Sequence, residues 1–360
     1  MGYKEIWSKI VKSGRVMPVR LAIPADHTDK AAILKTPFKL NEQYFTVRVN
    51  EMYLSYSRKW LKEWDPVVFI TSEFVYDNEK LVVPFVVGPS ILNTEGGTPV
   101  PEGMIFRDTT VAGTHPFRGD PFTLSIVLAR LKQEDYLRKI LKLIESTSHT
   151  YMGGFATMVK EYIKVATVVL DGIDDLLDSK DIEPLIGHRN TVMQNAGDEF
   201  YPGYFVLINT EEQGVDPKKF FVVDNQLKYG NSLADAQPYR EHDYVLYSIM
   251  STEQRNDCDL LPFKKEWVRL LQFATGLSTF SEENWLQVKG KLFALQGTLR
   301  LSPDLTRKQI TELIASYKQE IDAMKEDRDH LGVAEESLPA EKADGWNTDM
   351  DKMALDILKL

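Results

Sequence analysis

The sequence predicts an α+β fold: two successive β-rich then helical units, mostly antiparallel sheets or sandwich-like, followed by a flexible C-terminal tail. Three observations carry this. Two separate stretches are rich in β-branched and aromatic residues with period-two alternation. Helical periodicity follows each of them. Strands and helices stay segregated along the chain, whereas a doubly wound parallel sheet alternates them. The expected organisation is a β-rich N-terminal domain with a short leading helix over 1–120 and a helical segment over 121–190. A second β-rich unit covers 191–262, further helices cover 263–332, and a tether with a short amphipathic helix covers 333–360.

The leading helix is predicted from Tyr3, Ile6, Trp7, Ile10 and Val11, which fall on one stripe with Lys4, Lys9 and Lys12 off it. Strands are then expected over 16–23, 44–49, 67–75 and 80–87, with a further short one over 104–106. Asp77-Asn78 separates the third and fourth strands and predicts a hairpin turn. Gly96-Gly97, Pro99 and Pro101 mark a loop. The run 123–131 is short and apolar, so periodicity alone leaves it open between strand and helix.

A helix is predicted over 133–146, and after Gly153-Gly154 a longer one over 155–177, roughly 33 Å at 1.5 Å per residue. Gly172 inside it costs about 1 kcal/mol relative to alanine. Strands return over 204–208, 220–223, 226–229 and 244–250, with Asp224-Asn225 as a second two-residue turn. Helices follow over 264–274, 282–295 and 306–329. Thr306-x-x-Gln309 has the spacing of a capping box, and Gly332 is the expected stop. Residues 333–348 dilute their few apolar positions with acids, proline and glycine. Met350, Met353, Ile357 and Leu358 then resume helical spacing, the pattern of a tethered docking peptide and the expected partner-binding segment.

Composition narrows the chemistry. The 360 residues carry 43 Lys+Arg and 53 Asp+Glu, a net charge of -10, which argues against a whole-chain nucleic-acid binder. The charge is uneven: residues 1–50 hold 9 basic and 4 acidic groups, net +5, while 301–360 hold 8 and 14, net -6. A local nucleic-acid site is therefore expected only at the basic head, where Lys12, Arg15 and Arg20 accompany Tyr3 and Trp7. The single Cys258 excludes a disulfide scaffold and multi-thiolate metal sites. No export signal is read at the start, and the strongest apolar run, 81–87, is broken by Pro84 and falls far short of the roughly 20 residues of a membrane span. A cytoplasmic location is the expectation.

Phosphate-cradling glycine loops are missing from the sequence. Gly230-Asn231-Ser232-Leu233-Ala234 resembles a nucleophile elbow, but Pro238 stands where the following helix is required. The six histidines are scattered without zinc-helix spacing. The loop from Gly113 to Asp120 sets His115, Arg118 and Asp120 among glycine and proline, where a binding loop fits. Asp171, Asp174, Asp175 and Asp178 cluster near the end of the long helix, away from the helix N-terminus that favours carboxylates. Asp174-Asp175-x-x-Asp178 resembles, over five residues, the aspartate-rich motif of prenyl-diphosphate enzymes, which implies Mg²⁺ on paired carboxylates.

These features predict a non-enzymatic cytoplasmic protein–protein interaction module: an adaptor, a scaffold or a subunit of a multiprotein assembly. It would bind a protein partner or a second copy and need no cofactor. The contrasting expectation is a Mg²⁺-dependent enzyme acting on a phosphorylated substrate through Asp174, Asp175 and Asp178.

Overall fold

The structure, a computed structural model, describes residues 18–54, 64–88, 104–132, 139, 143, 159–178, 181–192, 199–210, 215–277 and 280–336. The leading helix, the tail residues Met350, Met353, Ile357 and Leu358, and almost all of the helix over 133–146 lie outside the described residues. The chain divides into two compact units. One runs through residue 261 and takes back 303–308; the other holds 262–302 and 309 onward.

The first unit is built on two antiparallel sheets. Strands β1 (Val19–Ile23), β2 (Tyr44–Leu54), β5 (Met104–Pro116), β8 (Gly203–Ile208) and β12 (Tyr244–Thr252) form one, ordered β1-β8-β12-β2-β5. Strands β3 (Trp64–Tyr76), β4 (Glu79–Val87), β6 (Phe122–Lys132) and β7 (Ile182–Val192) form the other, ordered β4-β3-β6-β7. The first sheet draws on both β-rich stretches, since β1 pairs with β8 and β2 with β12. The regions read from sequence as 1–120 and 191–262 thus share one sheet.

The two sheets bury a common core. Val47, Val49 and Val245 of one meet Val68, Ile70, Phe85, Ile126 and Leu128 of the other, each at most 1% exposed. The alternate residues of the four-stranded sheet pack on helix α2 (Val159–Asp178), where Val169, Ile173 and Leu176 meet Val67, Phe69, Val127 and Ala129. Strand β6 is therefore buried on both faces, which erases the alternation expected of a half-exposed strand and explains its ambiguity in the sequence. The helix α1 (Ala31–Leu34) and a small sheet of β9 (Phe220–Val223), β10 (Gln226–Tyr229) and β11 (Gln237–Pro238) cover the outer face of the five-stranded sheet. Under that cover the fully buried Glu51 accepts from Leu227 N (2.8 Å) and from the Arg240 guanidinium (3.1 Å).

Both Asp-Asn pairs form two-residue hairpin turns. All four residues have positive φ, from 51° to 63°, the geometry that matches the twist of the flanking strands. Strand β7 has no counterpart in the sequence reading. Pro184 and Gly187 weaken its pattern, and it takes an edge position, where such residues are tolerated.

The second unit consists of helices. In α3 (Pro262–Gly276), Phe263, Trp267, Leu270 and Ala274 form the buried stripe; in α4 (Glu282–Leu301), Val288, Leu292, Leu295 and Leu299 do. Ser281 caps α4 by accepting from Asn284 N (3.3 Å), with Glu282 and Glu283 in the first turn complementing the helix dipole. Helix α5 (Arg307–Glu336) stacks Tyr317 on Trp267 at 3.9 Å. It begins immediately after Thr306, as expected, but continues through Gly332 instead of stopping there. A glycine inside a helix costs about 1 kcal/mol, which does not by itself end one.

Candidate functional site

The stretch read from sequence as a loop, Gly113 to Asp120, is strand over its first half: β5 runs through Pro116 and pairs His115 with Phe45, so only 117–120 form the connecting turn. Pro116 brings no N–H, so it closes the strand. Phe117 is then fastened on both sides: its N–H donates to Gln43 O (2.8 Å), and its carbonyl accepts from Asn41 N (2.8 Å). Gly119 takes φ 80°, a conformation that side chains disfavour, and this turn sets Arg118 and Asp120 at the surface before β6 begins. The Arg118 guanidinium donates to Pro303 O (3.2 Å), tying residues 303–308 to the loop.

These residues border a cavity of about 170 Å³ within the first unit. Its wall is aromatic: Phe45, Phe74, Phe117, Phe122 and Phe200, closed by Ile249. The rings are mutually packed. Phe117 and Phe200 lie 5.8 Å apart, Phe45 and Phe122 5.3 Å, and Phe74 is 4.2 Å from the His115 imidazole. Asp77, Asn78, Arg118 and Asp120 add polar groups, and Val75, 40% exposed, also lines the opening. The sequence-predicted His115, Arg118 and Asp120 are thus brought to one cavity.

A buried polar group stands behind it. The Arg255 side chain holds Asp257 in two hydrogen bonds (2.5 and 2.7 Å) and donates to Asp304 O (2.8 Å). The Tyr76 hydroxyl hydrogen-bonds the Asp304 carboxylate, and Tyr44 Oη accepts from Thr306 N (3.0 Å). Burial pushes the Tyr76 phenol well up, with the Asp304 charge adding to it, so it stays protonated at neutral pH. Burial also raises the Asp304 carboxyl, against the lowering pull of Arg255. His115 is 3% exposed; burial, aided by the Arg255 cation, depresses its pKa to about 3. It is a neutral imidazole at pH 7, an uncharged part of the cavity wall.

This has a consequence for stability. Below the ordinary value of 6.5 the unfolded chain takes a proton on this imidazole that the folded chain refuses until about pH 3. Stability is therefore full above 6.5 and falls as pH drops through that window, with a slope from His115 approaching 1.4 kcal/mol per pH unit. His188, depressed to about 4 by burial and then by Arg20, acts in the same direction, whereas the raised Asp304 opposes both. Denaturant unfolding of wild type and His115→Gln between pH 7 and 5 checks this: the variant is expected to show the shallower pH dependence.

The remaining sequence candidates fall elsewhere. Along α2, Asp174 is buried while Asp171 and Asp175 are exposed, as the 100° step between neighbouring helical residues requires; the side chain of Asp178 lies outside the described residues. Among the described residues no group of three His, Cys, Asp or Glu is arranged to hold a metal ion. Ser232 sits in an exposed turn and donates to Asp235 Oδ1 (2.6 Å), while the His242 ring bonds the Tyr239 hydroxyl (2.6 Å). Gly230 is required there because a Cβ would stand 2.6 Å from the Ala236 backbone. Cys258 is half-buried and its thiol faces Arg255 O at 3.6 Å. At the basic head, Arg20 stacks on Phe205 and donates to Tyr247; Lys12 and Arg15, with Tyr3 and Trp7, lie outside the described residues. No helix among the described residues is long and apolar enough to cross a membrane.

Sequence reasoning missed the aromatic wall and the Arg255–Asp257–Asp304 group, which come from segments far apart in the chain. Comparison with known protein families, with curated proteins and with solved structures finds no match for this chain.

Proposed function

We propose that this chain is a non-enzymatic protein–protein interaction module of the cytoplasm, an adaptor, scaffold or assembly subunit, and that its cavity receives one apolar side chain of a protein partner. The aromatic-walled cavity carries this reading. A cavity of about 150 Å³ lined by apolar side chains accommodates a benzene ring, so this one has room for a single aromatic or large aliphatic anchor. An anchor side chain that fills a pocket and sheds its water is what concentrates binding energy at an interface. Asp77 and Asp120 against Arg118 give the lining an excess of one negative charge, which suits a basic residue beside the anchor.

The segment containing Met350, Met353, Ile357 and Leu358 belongs to the same proposal as a second docking element, on the strength of its sequence spacing. The alternative, a Mg²⁺-dependent enzyme using Asp174, Asp175 and Asp178, rests on sequence spacing alone.

Selection of peptides from a random displayed library against the full chain tests the reading. Enriched peptides are expected to share an aromatic or large aliphatic residue next to Lys or Arg, and to compete with one another. Binders with no common apolar anchor would contradict it.

A further inference from the structure

Helix α4 carries a second apolar face that its own unit leaves open. Its buried stripe is Val288, Leu292, Leu295 and Leu299. Another line of residues runs along the exposed side: Leu286, Gly290, Phe293, Gly297 and Leu301, at spacings of four, three, four and four, which keep them on one side of a helix. Phe293 is 74% exposed, Leu301 84% and Leu286 62%. A Cβ built at Gly290 or Gly297 meets nothing within 4 Å, so these glycines are not demanded by packing in their own unit. Each still costs about 1 kcal/mol of helix propensity. What glycine offers at such a position is close approach by another backbone or by a large side chain.

The outer positions of the stripe, Leu286 with Leu301 and Gly290 with Gly297, are symmetric about a point between residues 293 and 294. Placed antiparallel against a copy of itself about a two-fold axis between residues 293 and 294, Leu286 meets Leu301 of the second copy and Gly290 meets Gly297. Phe293 then meets Ala294. This is the self-complementarity that an isologous contact requires, because every pairing occurs twice. Charge agrees with it: Arg300 of the second copy comes within about one and a half helical turns of the acidic first turn, Glu282 and Glu283, and the helix dipoles oppose. The lysines closest to the stripe lie over aromatic rings of their own unit, Lys289 5.3 Å from Trp285 and Lys291 4.7 Å from Phe273.

We propose that the exposed face of α4 is a homodimer interface, formed by antiparallel pairing of α4 with α4 of a second copy through Leu286, Phe293 and Leu301. It is independent of the cavity and of what binds there.

Sedimentation equilibrium on the full chain tests it. A concentration-dependent dimer is expected, with Phe293→Asp weakening association at least about tenfold while leaving the melting temperature of the monomer unchanged, since that side chain is exposed. Gly290→Leu should move two readouts in opposite directions, raising monomer stability through helix propensity and weakening the dimer by blocking close approach. Ala294→Cys should form a 294–294 disulfide under mild oxidation, where Gln287→Cys, far from the axis, should not. A chain that stays monomeric overturns the proposal. So does a dimer that ignores Phe293→Asp and Gly290→Leu, or one that Met353→Asp breaks in their place, which would locate the contact in the tail.

Discussion

Replacing Arg255 with alanine is expected to destabilise the first unit by about 3–5 kcal/mol, the cost of leaving a buried charge without its counter-charge. The Arg255 side chain is 2% exposed and Asp304 8%, so the contacts between these two are poorly replaced by water. Three kinds of bond go at once: the paired bonds to Asp257, the bond to the Asp304 carbonyl, and the ion pair with the Asp304 carboxylate at 3.6 Å. Domains have a margin of only about 5–15 kcal/mol, so the loss should be plain in a denaturant titration. The double variant Arg255→Ala with Asp304→Asn is expected to recover part of it, because it removes the stranded carboxylate. Asp257→Asn should cost less, its side chain being 38% exposed. A single Arg255→Ala change within about 0.5 kcal/mol of wild type, the range of ordinary surface substitutions, would refute this assignment.

Closing the cavity is expected to abolish partner binding without unfolding the protein. Val75→Trp lays an indole across the opening from a position that is 40% exposed, on a strand that accommodates aromatic residues. Loss of a single anchor side chain at an interface is worth at least about 2 kcal/mol, so affinity for a selected anchor peptide should fall at least about 30-fold. The melting temperature should stay close to wild type. Titration calorimetry with the same peptide measures it. Unchanged affinity would place the peptide elsewhere on the surface.

What the sequence disclosed and what it concealed have physical reasons. The Asp-Asn turns were legible because a two-residue hairpin needs positive φ twice, and these residues tolerate it. The long amphipathic helix was legible because one face packs on a sheet and the other is free to be polar. Strand β6 was not, since burial on both faces removes its period, and β7 was not, since its proline and glycine suit an edge. The sharing of one sheet by β1, β2, β5, β8 and β12 depends on pairings some 200 residues apart in sequence, which local pattern does not encode.

The site divides in the same way. His115, Arg118 and Asp120 stood out because glycine and proline punctuate their loop. Phe74, Phe200 and Ile249 looked like ordinary core residues, and only the fold brings them to one cavity. Arg255 and Asp304 lie 49 positions apart, and nothing local to either announces the other.

The central claim is that one apolar side chain of a partner enters the cavity. Isotope-edited nuclear Overhauser spectroscopy on the full chain, with a labelled Ile249 methyl group and an unlabelled selected peptide, tests it most directly. Cross-peaks between that methyl and the anchor side chain are the expected result. A saturated complex without such cross-peaks, its peptide contacts mapping to other residues, would contradict it.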